Sequence, residues 1–153
     1  MLSNRLVHLI EANGDQILDR VAAQIRREPE MAHGNAVQEY ELRGLGQDLL
    51  SHLGECLSLK DGHELGTRYE RLGALCFQTQ IPFHEALRGM SLLREKMIDV
   101  AQEHMMSNSS IELYAEEELE RRLGRFFDRL IRRMALGFEE AARAPMASRA
   151  AIH

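Results

Sequence analysis

Apolar residues recur at intervals of three and four along nearly the whole chain, and no stretch alternates apolar with polar positions as a half-buried strand would. The pattern predicts helices throughout and no strands. Leu2, Leu6, Leu9 and Ile10 form a first stripe. Asn13-Gly14-Asp15 follows, offering a glycine suited to a helix C-terminus and an aspartate suited to cap the next helix. Either a break or a kink fits that tripeptide. Ile17, Leu18, Val21 and Ile25 make a second stripe that ends before Pro29. "EPEMAHGNAV" then reads as a loop from its Pro, Gly and Asn. Leu42, Leu45, Leu49, Leu53 and Leu57 form the next helical run, closed by the turn "LKDGHELG".

Leu65, Tyr69, Leu72, Cys76 and Thr79 share one side of a further helix, and Phe83, Leu87, Met90, Met97 and Val100 line the one after it. "MMSNSS" ends that run. Ser109 or Ser110 can cap the last and longest helix, whose stripe is Leu119, Leu123, Phe126, Phe127, Leu130, Met134 and Phe138. The period is lost in "APMASRAAIH". The expected organisation is one domain over residues 1–143 and a frayed tail over 144–153. An all-α fold of about five to seven helices joined by short loops is expected to be a bundle or a globin-like packing.

The sharpest punctuation is "TQIPFHEALRGMSLLR". Pro82 has no N–H and a fixed φ, so it suits the first position of a helix. It also pushes Ile81 toward extended geometry, ending the preceding helix near Thr79 or Gln80. A tight corner between two helices follows. His84 falls in the first turn after the corner, in phase with Arg88, Ser91 and Glu95 on the polar side. It is expected at the surface.

Composition narrows the function classes. The chain has 153 residues, a formal charge of −5, no Trp and eight Met. That charge disfavours nonspecific binding to nucleic acid, which needs Lys and Arg to displace counterions. The late arginines Arg121, Arg122, Arg125, Arg129, Arg132 and Arg133 follow Glu116, Glu117, Glu118 and Glu120. That order complements a helix dipole and offers Glu117–Arg121 and Glu118–Arg122 as i,i+4 pairs. No apolar run reaches the ~20 residues that cross a bilayer, and the N-terminus is too polar for a signal peptide. Cys56 and Cys76 form no C-x-x-C pattern. A reduced, cytoplasmic protein is expected.

"RLGALCFQTQIPFHEALRGMSLLRE", with its Gln-Ile-Pro corner and spaced Arg88 and Arg94, resembles the N-terminal sensory domain of RsbR- and RsbRD-type stress regulators. The same kind of domain precedes some bacterial histidine kinases. The likeness extends upstream through "ELRGLGQDLLSHLGECL" and "ILDRVAAQIRREPEM", covering roughly residues 12 to 105. It implies a globin-like domain without haem that dimerises through its last helices and feeds a STAS or kinase output module. No output domain follows in this chain, so a solitary sensor or an excised domain is expected.

The same corner resembles that of haem globin-coupled sensors, which carry their proximal histidine six residues before the proline, where this chain has Cys76. A thiolate can ligate haem iron, while a free Cys on an apolar stripe is ordinarily a small buried hydrophobe. His104 is in phase with Met97 and Val100 but lies at a helix end. Arg68, Arg71 and Arg88 could serve haem propionates. The expectation is no haem, with Cys76, Thr79 and Met90 lining the pocket. A di-iron carboxylate site needs two Glu-x-x-His motifs, and only Glu30-x-x-His33 is present, in a loop. His52 and Cys56 could share a metal but have no evident third ligand. Phosphate loops, nucleophile elbows and kinase signatures are absent.

The sequence thus suggests a non-enzymatic regulatory domain in which a core signal alters the packing of the last helix within a homodimer. Phe126 and Phe127, and Leu130 and Ile131, are adjacent, so that helix has apolar residues for two contacts. Leu123, Phe127 and Ile131 are the expected seam. The alternatives are a haem-binding gas or redox sensor, and an adaptor that takes a partner helix in a groove of Met90, Met97, Met105 and Met106.

Overall fold

The computed structural model describes residues 2–31, 36–58, 63–105 and 109–144, leaving out the side chains of 36–41 and 63. Seven α-helices account for nearly all of these residues: α1 (Asn4–Ala12), α2 (Gly14–Arg27), α3 (Ala36–Ser51), α4 (Leu53–Ser58), α5 (His63–Gln78), α6 (Phe83–Glu103) and α7 (Ser110–Arg143). A single 3-10 turn, Pro29–Met31, follows α2. The described residues contain no strand, and nearly all their buried apolar side chains form one core. Residues 145–153, expected as a tail, lie outside the described part, as does Met106.

Two breaks differ from the sequence reading. Between α1 and α2 the chain departs from helix at one residue, Asn13, whose side-chain amide donates to Leu9 O at 2.7 Å. Gly14 begins α2 instead of ending α1, and Asp15 lies in its first turn. The Leu42–Leu57 run is also divided. At His52 the helix stops, and the Gly54 N–H donates to the Glu11 carboxylate at 3.0 Å. Glu11 thus caps α4 from α1, satisfying one of the donors that a new helix start leaves open. A cap supplied from a distant helix leaves no local sequence signature.

The Pro82 corner forms as expected, with one shift. α5 ends at Gln78, and Gln80 takes the left-handed conformation with φ 59°. Gln80 N–H donates to Phe77 O at 3.2 Å and Ile81 N–H to Cys76 O at 2.9 Å. This double bond pattern is the Schellman end of a helix, with glutamine at the position glycine usually holds. Pro82 is extended (φ −57°, ψ 134°) and precedes α6 instead of opening it. Ser109 caps α7, its hydroxyl accepting from Glu112 N–H at 3.3 Å.

α7 is the organising element. At 34 residues it is about 50 Å long. Leu119, Leu123, Phe126, Phe127, Leu130 and Met134 are all buried on it. Leu123 and Phe127, expected at a dimer seam, are 0% and 1% exposed within the single chain. Ile131 is half-buried against the core. Both buried residues therefore belong to the chain's own core, because the core face of α7 is wide enough to include the whole stripe.

α5 and α7 run parallel, with their contacts ascending together, and glycines set their separation. A Cβ on Gly73 would lie 1.9 Å from Met134 O, and one on Gly137 would lie 1.9 Å from Glu70 O. The two backbones touch directly, which only glycine permits. Arg133 pairs with Glu70 at 3.0 Å beside this contact. Phe138 continues it, stacking on Phe83 (centroids 4.9 Å apart) and meeting Phe77 edge-on (5.5 Å).

The glutamate–arginine pairing expected along α7 takes a different form. Ser3, fully buried, donates its hydroxyl to Glu118 at 3.1 Å and accepts from Arg122 at 2.8 Å. These groups tie the start of α1 to α7 in place of a Glu118–Arg122 pair.

Candidate ligand cavity

α2, α3, α5, α6 and α7 line a partly open apolar cavity of about 370 Å³. Leu18, Val21 and Ile25 come from α2, and Leu45 and Gly46 from α3. Tyr69, Leu72 and Cys76 come from α5, Ala86, Met90 and Leu93 from α6, and Met134 from α7. Each of these helices turns a stripe inward, and the stripes do not quite meet. The volume is more than twice the ~150 Å³ that suffices for a benzene ring in an apolar protein cavity. It falls in the range of small-molecule sites.

Few polar groups face this space. Arg26 and Arg43 stand on the lining, and Arg43 is engaged by Asp19 at 2.7 Å. Glu85, only 4% exposed, contributes from the first turn of α6. Tyr69 is buried, and desolvation pushes its hydroxyl above the ordinary phenol range. A wider groove of about 530 Å³ lies on the other side of Leu45 and Leu72. It is more polar and opens to solvent, and two of its arginines, Arg43 and Arg68, already pair with Asp19 and Asp48. The more apolar and less open cavity is the better candidate.

Two of the three expected pocket residues line the cavity. Cys76 and Met90 do so. Thr79 does not: it is exposed, and its hydroxyl donates to Leu75 O at 2.7 Å within its own helix. The Schellman turn ends the helix just before Thr79 could turn inward. His84 is exposed beside Arg88, Ser91 and Glu95, as its phase predicts. Sequence reasoning missed Tyr69 and Glu85 as cavity residues. Tyr69 was visible on the inward stripe of α5, whereas Glu85 sits in a first turn where a carboxylate ordinarily serves the helix dipole.

Among the described residues no histidine lines the cavity, so no imidazole is placed there for a haem iron. Burial pushes the Cys76 thiol up to about 11, and it would give up that proton only on coordinating a metal. His104 turns Nδ1 toward Val100 O at 2.9 Å and does not line the cavity. Of Arg68, Arg71 and Arg88, Arg88 is held by Glu28 and Arg68 by Asp48, while Arg71 is exposed. The described residues contain no group of three His, Cys, Asp or Glu side chains placed to hold a metal ion. His52 is exposed, with Nδ1 beside Asp48 O at 3.2 Å, and Cys56 is half-buried. Of the methionines expected to line a groove, Met90 and Met97 are buried. No described helix is long and apolar enough to cross a membrane.

One wall of the cavity is clamped at both ends. α2 runs antiparallel to α6, with Arg20 holding Glu103 by two bonds of 2.7 and 2.9 Å. At the other end Arg88 holds Glu28 by bonds of 2.8 and 3.0 Å. The Arg88 guanidinium, helped by Gln24, lowers the Glu28 carboxyl from its ordinary 4.5 to about 2. A carboxyl depressed in the folded state stabilises the fold above its unfolded pKa and loses that contribution as pH falls through the folded value. The clamp should therefore weaken between about pH 4.5 and 2. Arg88→Ala should return Glu28 to the ordinary carboxylate range and remove that part of the acid sensitivity. Carboxyl ¹³C titration by NMR checks the shift; an unchanged Glu28 midpoint in the variant would contradict the assignment.

The chain matches no protein-family model, no curated protein and no solved structure.

Proposed function

We propose that this chain is a non-enzymatic, globin-like sensory domain that takes a small, largely apolar molecule into the cavity and reports its presence through α7. As a homodimer it would pass that signal to an output module of the STAS or histidine-kinase kind, in a cytoplasmic pathway. The observation that carries this reading is the route from cavity to α7. Tyr69, Leu72 and Cys76 form the α5 wall, and the same helix meets α7 backbone to backbone at Gly73 and Gly137. Between those backbones no side chain can change rotamer and absorb a displacement. A ligand that moves the α5 wall would therefore move α7 with it. Shifts of an ångström or two at helix interfaces are enough for switches of this kind.

Ligand uptake is tested by thermal unfolding with saturating small apolar probes such as benzene or a short alkanol. A molecule that binds only the folded state raises the melting temperature with its concentration. Tm should rise for the native protein and rise less for Gly89→Phe, which places a ring at the cavity wall. Equal responses from the two proteins, or none from either, would contradict uptake at this site.

A further inference from the structure

Tyr69 brings a hydroxyl to a stretch of cavity wall that Leu72 and Cys76 otherwise make apolar. The residue is only 2% exposed. A tyrosine that deep ordinarily finds a hydrogen-bond partner, because burying a hydroxyl without one is costly. Among the described residues Tyr69 has no such partner. Desolvation, and beyond it the more distant charges of Arg68, Cys56 and Asp48, governs its protonation, and no hydrogen bond contributes.

Yet the oxygen is not among the buried polar atoms that packing seals from every water-sized space. The little surface that Tyr69 keeps therefore includes its hydroxyl. The open space beside the residue is the cavity, since Tyr69 does not line the neighbouring groove. Desolvation keeps the phenol protonated at neutral pH, so it has an O–H to donate into that space.

Charge on the lining is mixed. Glu85 is buried in the wall, Arg26 is exposed, and Arg43 is engaged by Asp19. An anion would have the Glu85 carboxyl beside it, and a cation the two guanidinium groups. The surroundings are too apolar to solvate either. A neutral oxygen meets neither obstacle.

We infer that the ligand is a neutral molecule with an apolar body and one oxygen, as in a ketone, phenol or alcohol, and that this oxygen accepts from the Tyr69 hydroxyl. The inference rests on the cavity proposed above and names the class of molecule it takes. Leu18, Leu72, Met90 and Leu93 supply apolar contact, and the single polar contact fixes the orientation. The bond fastens the ligand to α5, the helix whose backbone meets α7 at Gly73.

Acetophenone and α-methylstyrene test this, because they share a shape and differ only in a carbonyl oxygen against a methylene. Each is titrated into the native chain and into Tyr69→Phe, with the Met90 and Met134 methyl signals as the readout. Both should bind the native chain. Tyr69→Phe should weaken acetophenone by about three- to tenfold, the worth of one hydrogen bond, and leave α-methylstyrene within about twofold. The urea midpoint of the free protein should not fall in the variant, since no bond within the chain is lost. Equal weakening of both probes would make Tyr69 a packing residue and overturn the inference. So would a variant that weakens neither, or a marked fall in the urea midpoint, which would mean that the hydroxyl is bonded within the chain. Each of these results would leave the cavity standing as a site for apolar molecules. A native chain that takes up neither probe would overturn the cavity itself, and this inference with it.

Discussion

Gly137→Ala is expected to abolish stable folding. The added methyl carbon would lie 1.9 Å from Glu70 O and 2.6 Å from the carbonyl carbon behind it. Both atoms are backbone, so no side-chain rotation relieves the overlap, and α5 and α7 would have to separate along a shared face. Overpacking of a well-packed interior ordinarily costs ~1–3 kcal/mol. A forced separation also opens the aromatic contacts of Phe138 and the Arg133–Glu70 pair. A loss above about 4 kcal/mol follows, a large part of the stability of an ordinary domain. Gly44→Ala is the matched control, because a Cβ there meets nothing within 4 Å. It should be neutral or stabilising by up to about 1 kcal/mol. Urea titration of both variants checks the contrast. A Gly137→Ala protein within about 1 kcal/mol of native would show that the helices do not meet backbone to backbone.

Phe127→Glu is expected to unfold the chain. The phenyl ring is 1% exposed, lies edge-on to Phe126 with centroids 5.9 Å apart, and shares the core with Leu123 and Leu130. Truncating a buried Phe costs ~3–5 kcal/mol, and placing a carboxylate there adds the cost of an unpaired buried charge. The combined loss should exceed about 5 kcal/mol. Circular dichroism should show lost helicity. If Phe127 were instead at a seam between copies, the variant would keep its helicity and only dissociate; a well-folded Phe127→Glu monomer would therefore overturn the core assignment.

The sequence made the helices legible because their stripes are long and their punctuation is local. Ser109 caps α7 with its own hydroxyl, and the Pro82 corner needs only the residues around it. What it could not convey depends on partners distant in the chain. The break at His52 is stabilised by Glu11 from another helix, and Ser3 takes Glu118 and Arg122 from each other. Gly73 and Gly137 did stand on inward helical stripes, where an isolated glycine signals close packing. Which helix approaches them cannot be read from either stripe alone. The cavity was half legible: Cys76 and Met90 follow from phase, whereas Thr79 was misplaced by a helix end only a few residues away. The empty volume itself is a mismatch between stripes on five helices, and no single stripe records it.

The central claim is that occupancy of the cavity is felt on α7. Methionine-methyl NMR reads it directly, since Met90 and Met134 line the cavity on α6 and α7, and Met97 is fully buried outside it. With xenon as the probe, the Met90 and Met134 methyl signals should shift together along one binding curve while Met97 stays in place. Backbone amide signals on the solvent face of α7, at Arg121 and Arg125, should follow the same curve. Shifts at Met90 and Met134 that leave the α7 amides unmoved would contradict transmission, and an unresponsive Met90 would contradict the cavity as a binding site.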